Sequence, residues 1–284
     1  MLHRSIGCPI SGATGAGGVT EIRHHRLGMP HLTREGLSEG WLLRECGDAH
    51  WMAISRALRT PPSAMRDAAG NRLYAAFLAI RIAGEPLGNF GEDQQIETWH
   101  RLIDFSAPYA VSRTTVQRAG RACLVVEMSS VFVRREVEGC NRRIERSLPV
   151  AIDTSVEGSA ESREERKAAL MLRRVHKDLR RPPMHAVEPR LEHRLCAEAD
   201  LNGAGFVYFA AFSDMMRRAE CVARGGVPSL SATQPFERHL AFYGNAQAGE
   251  TLRLDTGAPT TRPVFAAATS ADGRILARSR LQHL

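Results

Sequence analysis

No apolar run in these 284 residues approaches the roughly 20 that a membrane-crossing helix needs. That speaks against a helical membrane protein. None of the six cysteines pairs with another as C-x-x-C, which speaks against a zinc site. No signal peptide is visible, so the expectation is a reduced, cytoplasmic chain without a metal centre. The glycines from Gly15 to Gly18 follow no strand and open no convincing helix, so a phosphate-cradling loop is not expected there. No nucleic-acid recognition motif is present.

What is present is enough apolar residue, 43%, for a real core, and a marked excess of positive charge: net +7, with a pI near 9.5. Arginine dominates and is scattered over the whole chain. Three readings compete: nucleic acid, an acidic partner such as the phosphates of coenzyme A or a carrier protein, and a solvated arginine-rich surface.

The chain is organised around Gly36–Trp51. Apolar residues recur at Leu37, Trp41, Leu42, Cys46, Ala49, Ala53, Ile54 and Leu58, which is helical spacing with one buried face. Ser38 or Thr33 can cap its start, and Pro61-Pro62 ends it. Gly47 is costly in mid-helix unless something approaches closely there. His50 falls on or beside the apolar face, so it has either a buried partner or a pocket in front of it. A strand follows from Asn71 to Ile82, with Tyr74 expected on the same side as Ala76, Leu78 and Ile80. More strand-like segments run from 93 to 138.

Residues 1–30 read as a disordered leader, and 153–184 as a charged linker containing a short basic helix. Between and after them lie two segments, 31–152 and 185–284, with the same order: a long helix, then several strands. The second helix is expected to begin near Asn202-Gly203, with strands at 236–244, 250–255, 262–269 and 273–281. One buried helix wrapped by an antiparallel sheet is the hot-dog arrangement. The fold class expected is α+β, a double hot-dog of two modules.

Two groups of motifs carry a resemblance. Gly36-Leu37-Ser38-Glu39-x-Trp41-Leu42-Leu43, then Gly47-Asp48-x-His50-Trp51 and Asn71-Arg72-Leu73-Tyr74-Ala75-x-Phe77, form the first. Asp200-Leu201-Asn202-Gly203-x-Gly205-x-x-Tyr208-Phe209, then Phe242-Tyr243-Gly244-Asn245 and Gly249-Glu250-Thr251-Leu252, form the second. Together, over residues 28–255, they resemble the leinamycin-pathway family of bifunctional acyltransferase/decarboxylases. The resemblance implies a double hot-dog fold with a thioester substrate whose coenzyme A or carrier pantetheine arm enters a tunnel between sheet and helix. It also implies decarboxylation of methylmalonyl-coenzyme A and delivery of propionyl to an acyl carrier protein in polyketide assembly. No cofactor beyond the thioester itself is implied. By the family motif, Tyr74 takes the acyl-accepting role.

Such chemistry needs an enolate stabiliser and a nucleophile. Asn202 and Gly203 are candidates for the first, as an amide donor and an open backbone; Asn202 as a plain cap is the competing reading. For the second, Tyr74 needs a base or a positive charge nearby, for which His50 and Arg72 are candidates. Asp48 is expected to orient a neighbour, and Trp41 to line core or tunnel. Both Tyr74 and His50 also fit ordinary core positions. Cys46 beside His50 is a weaker nucleophile candidate without a local signature. A thioesterase on the same fold, a dehydratase, and a non-catalytic module that binds a carrier protein through the arginines of 172–181 are the alternatives. No membrane and no nucleic-acid partner is expected, and a two-module chain can pair further as a homodimer.

Overall fold

A computed structural model describes residues 21–150, 163–181, 190–258 and 263–284. Residues 1–20, most of the expected leader, lie outside that description. In chain order the elements are β1 (Glu21–Arg26), β2 (Leu32–Thr33), β3 (Gly36–Leu37), α1 (Glu39–Ala57), β4 (Tyr74–Gly84), β5 (Gln95–Ser106), β6 (Tyr109–Arg118), β7 (Arg121–Arg135), β8 (Ile144–Arg146) and α2 (Arg163–Asp178). There follow β9 (Leu191–Arg194), α3 (Ala197–Asp200), α4 (Phe209–Ala223), α5 (Leu230–Thr233), β10 (Phe236–Phe242), β11 (Thr251–Thr256), β12 (Val264–Ser270) and β13 (Ile275–His283).

Eleven strands join in one antiparallel sheet, in the order β1-β5-β6-β7-β4-β10-β13-β12-β11-β9, with β8 beside β7. The two halves of the sheet meet where β4 pairs with β10. The long helices α1 and α4 pack on one face, α1 against β5, β6 and β7, and α4 against β11, β12 and β13. Leu42, Leu43 and Cys46 of α1 share a core with Phe212, Met215 and Met216 of α4 and with Ile80, Ile82, Phe236 and Leu240 of the sheet. This is a hot-dog arrangement.

Ser38 caps α1, its hydroxyl accepting from the Trp41 N–H at 3.2 Å. Gly47 is where the two helices approach: a Cβ built there would lie 2.5 Å from Cζ of Phe209. The β6–β7 turn falls at Ala119-Gly120, both at positive φ.

Three expectations need correction. Residues 21–26 are not a loose leader. They alternate in burial and form edge strand β1, pinned to α1 by Arg23, which meets Glu45 at 3.0 Å and Asp48 at 2.9 Å. The second long helix begins at Phe209 rather than near Asn202, because an isolated bridge between Leu201 and Val207 closes the intervening residues into a loop. Tyr74 faces away from Ile80. A bulge between Phe77 and Ala79 adds one residue to β4 and reverses the alternation, so that Phe77 and Ile80 share the helix side while Tyr74 turns to the other.

The basic helix expected within 153–184 is α2. Ala168 and Ala169, then Leu172, Val175 and Leu179 at intervals of three or four, bury against Ala79, Val111 and Ala241. Ala79 and Ala241 alternate with Ile80 and Leu240, so α2 covers the sheet face opposite α1 and α4. No helix of the described residues is long and apolar enough to cross a membrane.

Candidate active site

The β4–β10 ladder runs from Gly84↔Phe236 to Ala79↔Ala241 and stops. Beyond it β10 ends, and the Tyr243 N–H turns to the Leu276 carbonyl at 2.8 Å. Among the described residues, 74–78 thus have no strand partner on that side. A cavity of about 530 Å³ occupies this gap. His50, Phe77, Phe209, Phe212 and Phe242 line it on the side of the long helices, and His176 of α2 and Arg180 just past its end line it on the other. The cavity is a passage through the sheet, opened by the end of one ladder.

The helix-side part is aromatic. Phe77 stacks on Phe209 with centroids 4.2 Å apart, and the His50 ring lies 5.1 Å from Phe77. His50 is 1% exposed. Its Nδ1 is 2.7 Å from the Ser112 hydroxyl and its Nε2 is 2.8 Å from that of Ser130. Burial lowers its pKa to about 3, so the imidazole is neutral at physiological pH. One ring nitrogen donates and the other accepts.

Tyr74 reaches the passage on the α2 side of the sheet. Its ring meets Phe206 edge-on at 5.0 Å, and the guanidinium groups of Arg72 and Arg135 lie 5.3 Å and 5.4 Å from its centroid. Nη1 of Arg135 donates to its hydroxyl at 3.5 Å. Arg135 also holds the loop opposite: Nη2 donates to the Ala204 carbonyl at 2.5 Å, and the guanidinium lies 3.9 Å from the Phe206 ring. Asn141 completes the clamp. Its Oδ1 accepts from Arg135, and its Nδ2 donates to the carbonyls of Gly205 at 2.6 Å and Ala246 at 2.9 Å.

Asn202 and Gly203 line the passage, but Asn202 does not sit at a helix start. Its Oδ1 accepts from the N–H groups of Ala204 and Phe206 at 3.0 and 3.2 Å, closing its own loop. The amino end of α4 lies later, at Tyr208-Phe209, both of which line the passage. No side chain caps it. The Tyr208 phenol is pushed up to about 12 by burial, so it remains a hydrogen-bond donor.

The structure therefore brings Tyr74, His50, Asn202, Gly203, Arg72 and Asp48 to one cavity. It does not join His50 to Tyr74, since both imidazole nitrogens are engaged by serines and the tyrosine hydroxyl meets Arg135. Asp48 is largely exposed and paired with Arg23. Trp41 stands apart from the passage; its ring packs edge-on against His25 and His31. Burial pushes the Cys46 thiol up to about 12, which leaves it protonated and a poor nucleophile. Among the described residues no group of three or more His, Cys, Asp or Glu is arranged to hold a metal ion.

Arg135, Ser112, Ser130, Asn141 and Asn245 were missed from sequence. Each lies far along the chain from what it serves, and only Asn245, inside the Phe242-Tyr243-Gly244-Asn245 motif, carried a signal. Its side chain exchanges hydrogen bonds with Val207, accepting at 2.9 Å and donating at 3.2 Å.

Neither a protein-family model nor a curated protein matches the chain. Solved structures do. An acyl-ACP thioesterase from Bacteroides thetaiotaomicron superposes with a TM-score of 0.61 at 7% identity, over 93% of this chain and 97% of that one. The 12:0-ACP thioesterase from Umbellularia californica superposes with a TM-score of 0.63 at 12% identity, over 95% and 98%. The chain thus shares the fold of these two structures.

Proposed function

We propose that this chain is an enzyme that cleaves acyl thioesters, with coenzyme A or a carrier-bound pantetheine as leaving group. In this reading the sheet is a double hot-dog, its two modules meeting at β4–β10. The observation that carries it is the uncapped amino end of α4 opening onto a passage that also holds Tyr74 and His50. A free helix amino terminus presents backbone N–H groups and the positive end of a dipole, which suits the oxygen of a polarised thioester carbonyl. The structures it resembles are described as acyl-ACP thioesterases, which favours hydrolysis.

The passage fits such a substrate. Exposed Arg72, Arg146 and Arg180 rim it and suit the phosphates of the arm, while Phe77, Phe209, Phe212 and Phe242 offer an apolar chamber. Cleavage proceeds by attack of an oxygen nucleophile on the thioester carbonyl. The C–S bond breaks, and sulfur leaves as the thiol, taking the proton that the nucleophile gives up. In hydrolysis water is the final acceptor and the products are acid and thiol.

A second reading has one observation of its own. Arg135 holds the Tyr74 hydroxyl in the passage, where it is the oxygen nucleophile that an acyl-tyrosine route needs. On that route a malonyl-type substrate first loses carbon dioxide, the enolate held at α4 takes a proton from water at carbon, and the acyl group then passes through tyrosine to water or to a carrier thiol. Incubating the protein with acetyl-, propionyl- and methylmalonyl-coenzyme A, with and without holo carrier protein, tests both. Free thiol and free acid are expected from hydrolysis; propionyl-carrier and an acylated protein mass from transfer. Tyr74→Phe is expected to lower kcat by roughly 10²-fold or more if the acyl-tyrosine route operates. Release of thiol from none of these substrates overturns the thioester reading.

A further inference from the structure

The chemistry just described leaves the outer side of α2 without a role. Its inner stripe is buried on the sheet, and its outer side is exposed and mainly basic: Lys167, Arg173, Arg174, Lys177, Arg180 and Arg181, against the acids Glu164 and Asp178. Lys167 and Lys177, the lysines of this arginine-dominated chain, both stand here. Lys167, Arg174 and Lys177 are three or seven residues apart, so they share one side of the helix, and Arg181 follows just past its end. The ridge from Lys167 to Arg181 is about 20 Å long at the rise of a helix.

The same helix borders the passage. His176 in its last turn and Arg180 just past its end line the opening on this face of the sheet. The Tyr243 hydroxyl fastens that end by donating to the His176 carbonyl at 2.9 Å, and the Arg180 guanidinium lies 5.3 Å from the Tyr243 ring. Arg146 and Arg72 stand on the other side of the opening. A basic ridge thus leads to a basic mouth, and the mouth leads into the aromatic chamber.

We infer that the outer face of α2 is the docking surface for a small acidic protein that carries its acyl group on a phosphopantetheine arm, and that the arm enters past His176 and Arg180, through the sheet from the face opposite α1 and α4. The inference rests on the thioester reading and adds the partner's place and the direction of approach. Exposed charges contribute little to static affinity but steer encounter strongly, and salt screens them. A solvated basic face alone has no reason to end at an opening into the protein. A nucleic acid would use the ridge but not the passage behind it.

The test uses the full chain carrying Lys167→Glu, Arg174→Glu and Lys177→Glu together. All three residues are exposed and none lines the passage. Initial rates are compared for one acyl group on free pantetheine and on an acidic carrier protein. The expected result is a fall of about ten-fold or more in kcat/KM for the carrier substrate only, the free thioester keeping its wild-type rate. The wild-type KM for the carrier rises with salt, and Arg218→Glu, an exposed reversal on α4, changes neither substrate. Equal loss on both substrates, or loss on neither, overturns the surface. If the wild type cleaves neither substrate, the thioester reading fails separately. Binding of fluorescently labelled holo carrier then decides the surface alone: salt-sensitive binding lost in the triple variant supports it. No wild-type binding, or preference for a DNA duplex over the carrier, overturns it.

Discussion

At the scale of single residues, His50 shows how burial selects a role. Two serine hydroxyls satisfy the ring, and there is no carboxylate among its hydrogen-bond partners to favour the charged form. Its pKa falls from 6.5 to about 3 in the folded protein. The unfolded chain takes up a proton near pH 6.5 that the folded chain refuses until about pH 3, so the unfolded state binds more protons across that window. Stability contributed by this residue is present above pH 6.5 and is lost as pH falls toward 3. The loss is on the order of a few kcal/mol in total. His50→Gln is expected to flatten the decline between pH 7 and pH 4.5, read from urea midpoints; an unchanged slope would assign the acid sensitivity to other groups. The sequence placed His50 on or beside the apolar face of its helix. It did not name Ser112 and Ser130, which arrive on strands 62 and 80 residues later.

Among elements, the two long helices are the clearest case of local pattern becoming architecture. Gly47, costly inside an isolated helix, is where the Phe209 ring packs against α1. Gly47→Ala is expected to destabilise the protein by about 1–3 kcal/mol, since the added methyl meets an aromatic ring fixed between Phe77 and Phe242. Thermal denaturation measures this, and Gly47→Ala combined with Phe209→Leu should recover part of the loss. The extent of α1 was legible from apolar spacing and from Ser38. The direction of Tyr74 was not, because one bulged residue in β4 reverses every side chain before it. The start of α4 was also misread. Asn202 followed by Gly203 has the composition of a helix start, but those residues close a loop instead.

Across the whole molecule, one buried ionic cluster ties the halves together. Arg238 on β10 is fully buried; its Nη2 lies 2.8 Å from Glu220 of α4 and its Nε 3.1 Å from Glu39 of α1. The Ser213 hydroxyl on α4 donates to Glu39 at 2.7 Å. Both long helices and the junction strand thus share one cation. Arg238→Met leaves two buried carboxylates unpaired and is expected to cost about 3–5 kcal/mol. Adding Glu39→Gln and Glu220→Gln should restore much of that in chemical denaturation, because it removes the uncompensated charge. Failure to restore it would mean that shape, rather than charge, holds this junction.

Taken alone, the sequence determined the elements whose information is local: a capped amphipathic helix, its later counterpart, the alternating strands, and the motif residues that pointed to thioester chemistry. Spacing and capping act over a few residues, so they can be read along the chain. Tertiary structure alone decided where the β4–β10 ladder stops, which guanidinium meets Tyr74, and which helix end stays uncapped. Each depends on segments distant in sequence meeting at one point, and a single inserted strand residue changes which face they meet on.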